Sequence, residues 1–303
     1  MRKLFQPLFT ICMLVLMMSG NTVIAQKYEA LIITGQNNHY WQGSSVVIEG
    51  ILNNSGMFNA TTVTTPAKGE DMSGFRPDFS KYDLICLDYN GDSWPEETKL
   101  NFVDFVKKGG GLVVFHASDN SFSDWEEYNQ MIGVGGWGGR TEKDGPILYW
   151  EDGKIKKDTS EGRGGSHGQQ DQYVVHTRMP DHPIMKGLPE SWLHTPDELY
   201  HSLRGPAKNM QVLATSSQPK DRGGSGRQEP VLMTVKYGKG RVFHSVMGHT
   251  GKNHNNTTLD AGFMTTYLRG AEWVVTGNVT QKVSSQFPDA ENVVIWEDMK
   301  VPE

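Results

Sequence analysis

His39, His116 and His249 each stand within five residues of the end of a short apolar run, and imidazoles in such positions are the first candidates for chemistry. A second concentration is Asp197-Glu198-Leu199-Tyr200-His201, which sets acids, a phenol and an imidazole side by side. Imidazoles converging on one sheet edge can serve as acid, base or metal ligand. A divalent metal such as Zn2+ held by His39, His116 and His249 is therefore one expectation. No His-Glu-x-x-His or paired-cysteine motif accompanies it. In the second cluster Glu198 reads as a general base or ligand, with Tyr200 or His201 on substrate. The plainer reading has Asp197 capping a short helix and Leu199 packing.

Other chemistries fit less well. Ser118 has His116 and Asn120 where a nucleophile elbow needs glycines, which argues against an esterase. Cys86 lies in the middle of an apolar run and reads as a core residue. The glycine loops at 162–168 and 222–226 match neither phosphate-binding pattern. Trp41, Trp94, Trp125 and Trp137 flank the proposed loops and suit stacking on sugar faces, although buried packing is the commoner fate of tryptophan.

The elements that would carry these residues read as a βα alternation. Tyr28–Thr34, Phe58–Thr65, Tyr82–Tyr89 and residues 111–116 are strands, and Gly43–Asn54 and Pro95–Lys108 are helices. Residues 122–132 form a further helix. Strands follow at Tyr173–His176, Met210–Thr215, Pro230–Tyr237 and Arg241–Val246, and then a last helix at Asp260–Val275. In open α/β sheets ligands bind beyond the carboxyl ends of the strands. That edge would gather His39, Asn90, His116 and His249. The long glycine-rich stretch at 133–172, with Trp137, Arg140 and His167, reads as an insertion covering the site.

Length and charge set the frame. Arg2 and Lys3, an apolar run from Leu8 to Met18 and a small-residue site before Gln26 make residues 1–25 a signal peptide, so the protein is expected to be periplasmic or secreted. Its removal takes the formal net charge from −6 to −8, which disfavours nucleic acid and anionic membrane as partners. Cys86 then remains alone, so no intramolecular disulfide forms. Residues 26–277 read as one α/β domain and 278–303 as a tail packed on it; a homo-oligomer is an open alternative.

With those residues set out, the chain resembles the trehalose-utilisation (ThuA-like) family. The matching pieces are LIITGQNNHYW at 31–41, GGGLVVFHAS at 109–118, HPIMKGLP at 182–189, DELYH at 197–201 and EPVLMTVKYGKGRVFHSVMGH at 229–249. The resemblance implies a flavodoxin-like, class I glutamine amidotransferase-like fold, with a doubly wound, mostly parallel sheet and long loop insertions. It also implies sugar catabolism by way of 3-keto sugars. The recurrent polar positions of the family fall on His39, His116, Glu198, Tyr200 and His249, with His167 as a further member. The elbow cysteine of true amidotransferases is missing, and His244-Ser245-Val246 replaces their His-x-Glu pair, so glutaminase activity is not implied. The expected assignment gives His116, Glu198 and His249 catalytic roles. His39, Tyr40, Trp41, Asn90, Trp137, His167, Tyr200 and His201 then contact a small carbohydrate. The reaction expected is an isomerisation, epimerisation or elimination of a keto sugar or disaccharide, all of which begin with enolisation. A non-catalytic sugar-binding module is the alternative.

Overall fold

The structure, a computed structural model, describes residues 27–252 and 256–297; the expected signal peptide lies outside the described residues. In chain order the elements are β1 (Tyr28–Thr34), α1 (Trp41–Asn54), β2 (Phe58–Thr64), β3 (Leu84–Leu87), α2 (Glu96–Lys108), β4 (Gly111–Phe115) and α3 (Glu126–Ile132). Then come β5 (Ile147–Glu151), β6 (Lys154–Asp158), β7 (Ser166–His167), β8 (Asp171–Thr177), β9 (Ser191–Asp197) and β10 (Tyr200–His201). The chain continues through β11 (Met210–Ser216), β12 (Glu229–Tyr237), β13 (Gly240–Ser245), α4 (Asn256–Leu259) and α5 (Ala261–Thr276).

Nine strands form one sheet in the order β2-β1-β3-β4-β13-β12-β11-β8-β9. The ladders from β2 to β13 are parallel. Those from β13 to β9 are antiparallel. Two reversals restore direction, so seven of the nine strands point the same way. The carboxyl ends of β1, β3, β4, β13 and β9 therefore share one edge.

Alternation along the strands explains the two layers of helices. Ala30, Ile32, Cys86, Val113 and Phe115 face the core shared with Ile48 and Ile51 of α1 and with Phe263 and Tyr267 of α5. Leu31, Ile33, Ile85, Leu87, Leu112 and Val114 face the other core, with Phe102 and Val106 of α2 and Met131 of α3. Strands buried on both faces must be apolar at every position, as these are. Helix α2 begins with Glu96 and Glu97 and ends with Lys107 and Lys108, opposing its dipole, and Gly109 closes it at φ 123°.

Three sequence expectations shift. Strand β9 lies where no strand was expected, because Pro196 and a mixed burial pattern hide it. Trp94 and Trp125 take the packing alternative, joining Phe102 and Phe122 in the core rather than lining a sugar site. Arg140 is buried and donates to the carbonyls of Gly136 and Ser121 and to Asn129, bracing the insertion from within. The segment after α5 crosses the edge strand: the Leu193 amide donates to the Asp289 carbonyl, and Trp296 is buried. Among the described residues no helix is long and apolar enough to cross a membrane.

Candidate functional site

Four side chains meet at the shared edge. His39 comes from the loop after β1, His116 from the end of β4, Glu198 from the end of β9 and His249 from the segment after β13. One ligand-capable atom from each lies within 4.8 Å of the others. Glu198 Oε2 is the centre: His249 Nδ1 lies 3.1 Å from it, His39 Nε2 3.6 Å and His116 Nε2 4.0 Å. The three imidazole rings stand edge to face at 4.5–5.5 Å.

Hydrogen bonds on the far side orient two of the three rings. His116 Nδ1 donates to the Val246 carbonyl at 2.8 Å, and His39 Nδ1 to Asn37 Oδ1 at 3.1 Å. Both Nε2 atoms then carry lone pairs aimed inward. His116 Nε2 is buried without a hydrogen-bond partner, as is His249 Nδ1, which is near Glu198 but off the line of a hydrogen bond. Buried polar atoms without partners are uncommon and call for an explanation. A tetrahedral Zn2+ with ligands at about 2.0–2.2 Å sets its ligand atoms roughly 3.4 Å apart. The spacing here, the inward lone pairs and the outer acceptors are what such a centre requires.

The charges agree with this. Burial, and next the nearby His39, pull the His116 imidazole down to about 3, so it is neutral near pH 7. Burial opposes ionisation of Glu198, but the adjacent imidazoles of His249 and His39 outweigh it and hold the carboxyl below the usual carboxylate range.

Asp197, one residue before Glu198, is completely buried and no helix cap. Its Oδ1 accepts the backbone N–H of Glu198 at 2.7 Å and of His249 at 3.0 Å. Its Oδ2 accepts from Gly248 N at 2.9 Å and meets His194 Nε2 at 3.0 Å. His194 Nδ1 lies 3.1 Å from Asp260 Oδ1, and Asp260 caps α5 through Phe263 N. Burial lowers the His194 imidazole, yet Asp260 and Asp197 more than reverse this and carry it up to about 10.

Beside the tetrad is a cavity of about 320 Å³ lined by Asn38, Asn90, Asn120, Trp137, Gly138, His167, Glu198 and Tyr200. The Tyr200 ring lies on His116 at 4.2 Å, and Trp137 meets Tyr200 at 4.7 Å. His116, Trp137 and Ser202 all have φ between 43° and 58°. Such backbone costs about 1–3 kcal/mol per residue and gathers at functional sites. Gly165 at φ 85° lets the chain pass under Trp137, where a Cβ would stand 2.5 Å from the Trp137 nitrogen.

The other expected residues divide. Asn90 donates to Asn38 Oδ1 on the cavity wall. Tyr40 and Trp41 line a second hollow of about 360 Å³ on the far side of His39 and His249. His201, adjacent to Tyr200 in β10, points the other way, to Ser202 and the Gly223 carbonyl, and lines neither hollow. Ser118 is a buried strut that donates to the Leu87 carbonyl and accepts from Tyr89 N, not a nucleophile. Burial raises the Cys86 thiol to about 12, consistent with a core residue. Gln170 was missed: its amide reaches Glu198 Oε1 at 3.1 Å and His249 Nε2 at 3.3 Å. Nothing in its local sequence marks it. A further cavity of about 540 Å³ lies beside Phe79 and Phe105, and no histidine lines it.

Comparison with known proteins follows the geometry. The family model ThuA, described as trehalose utilisation, matches residues 29–274. A ThuA-like protein from Parabacteroides merdae ATCC 43184 is 50% identical, with a TM-score of 0.89, covering 91% of this chain and 100% of that one. A ThuA-like protein from Bacteroides uniformis ATCC 8492 is 18% identical at a TM-score of 0.57, covering 86% and 96%, a likeness of fold alone. No curated protein matches this chain.

Proposed function

Since the chain belongs to the ThuA (trehalose utilisation) family, we propose that it is an exported, metal-dependent enzyme of carbohydrate catabolism that enolises a keto sugar. The observation that carries this reading is the tetrad His39, His116, Glu198 and His249, with two inward nitrogens buried and unpartnered. A divalent cation there, Zn2+ being the simplest fit, supplies positive charge for an oxygen that becomes anionic as the neighbouring carbon loses its proton.

The residues of the chain do the rest. Trp137 offers an aromatic face to the apolar side of a sugar ring, with the buried Tyr200 in the cavity wall behind it. Asn38, Asn90 and Asn120 offer amide donors and acceptors to its hydroxyls. Export rests on Arg2, Lys3 and the apolar run that follows them.

Elemental analysis of the purified protein, with product analysis on 3-keto glucosides before and after chelation, tests the proposal. The expected result is about one divalent ion per chain, turnover abolished by chelator and restored by the ion. His116→Ala should lose both ion and turnover while keeping its far-ultraviolet spectrum. Full turnover by a metal-free preparation would reject it. Sugar binding without any product would favour a binding module instead.

A further inference from the structure

Resting on the enolisation reading above, we infer that His167 is the group that takes the proton from the carbon beside the ketone and returns it. Three titratable side chains line the cavity, His167, Glu198 and Tyr200. Glu198 has both oxygens committed, Oε2 to the imidazoles and Oε1 to Gln170. The Tyr200 phenol is a proton donor near neutral pH, since phenols ionise near 10. An imidazole is the side chain whose ordinary range suits a base at pH 7.

The local fold places His167 for this task. Strands β7 and β10 form a two-stranded ribbon in which His167 lies directly opposite Tyr200. Directly opposed residues of an antiparallel pair project from the same face. His167 therefore faces the cavity with Tyr200, while the next pair, Ser166 and His201, faces away. His167 Nδ1 lies 2.9 Å from the Gly168 carbonyl, which accepts only from an N–H. That fixes the tautomer and leaves the Nε2 lone pair free. The ring lies 6.1 Å from Trp137 and 6.2 Å from Tyr200, so a sugar on the Trp137 face is beside it.

The step balances without a co-reactant. Nε2 accepts the proton, the C–H electron pair becomes the C=C of an enediolate, and the ketone oxygen takes the charge. Return of the proton to either carbon, or loss of a neighbouring group, gives the isomer, epimer or elimination product. His167 is exposed to solvent, so its captured proton exchanges with water.

The test is His167→Gln assayed on a 3-keto glucoside in D2O. We expect kcat to fall by about 10²–10⁴-fold, the usual weight of a general base, with bound metal unchanged. Deuterium wash-in at the carbon beside the ketone should disappear with the turnover. Wild-type wash-in with His167→Gln equally active would overturn the His167 assignment and leave the enolisation reading standing. Absence of both turnover and wash-in in metal-replete wild type would overturn both.

Discussion

At the scale of single residues the most consequential side chain touches no substrate. Asp197 holds the backbone of Glu198 and His249 on one oxygen and that of Gly248 on the other. Two members of the tetrad from strands far apart in the sheet are thereby fixed to each other. Outer partners of this kind are typically worth 10–100-fold in metal affinity. Asp197→Asn keeps an acceptor for Glu198 and His249 but turns an amide N–H toward the donors of Gly248 and His194. It should weaken metal binding by about 10–100-fold, read by competition with a chromogenic chelator. Asp260→Asn alters the other end of the same buried chain, beyond His194. It should lower stability and spare metal affinity; equal weakening by both variants would mean that Asp197 acts only through the fold.

At the scale of elements, the strand ends were legible and the partners of the strands were not. His39, His116 and His249 followed unmistakable apolar runs, so their meeting at one edge could be read from the chain. Glu198 could be singled out by its polar neighbours, but not positioned, because β9 is an edge strand broken in pattern by Pro196. Asp197 and Gln170 act through long-range contacts, over 52 and 79 residues to His249, which no local pattern records. The turn at 182–188, another matched motif, proves to be a docking element. Arg269 of α5 donates to the carbonyls of Pro183, Ile184 and Lys186. His182 Nδ1 accepts from Ile184 N, and burial lowers its imidazole to about 4. In the unfolded chain this group titrates near 6.5. Its contribution is therefore complete above about pH 6.5 and is lost as pH falls through 4. Denaturant titrations at pH 7.5 and 4.5 should show His182→Asn losing about 1–2 kcal/mol less than wild type on acidification. Equal losses would remove His182 from the acid response.

At the scale of the whole molecule, the sheet gathers the tetrad from its parallel half and from its far edge. The loops after β1, β4 and β13 come from the parallel half, and Glu198 from the far edge strand. An ion bound as proposed would therefore tie one margin of the sheet to its middle. An ion at 100 times its Kd stabilises the native state by about 2.7 kcal/mol. For a chain of this size that corresponds to a melting point about 5–10 °C higher. Scanning calorimetry with and without chelator should show this shift, and the His116→Ala protein should show none. The ligands sit at positions 39, 116, 198 and 249, so the closest two in sequence are 51 residues apart. A helix bearing two histidines a turn apart can grip an ion before the rest of a protein forms. This chain has no such local pincer: closing even its shortest ligand loop costs entropy that only the finished sheet recovers. If the tetrad takes an ion as proposed, its uptake would be the last event of folding, and the metal held would be the one present where folding ends. Refolding in a single chosen ion would leave that ion in the site.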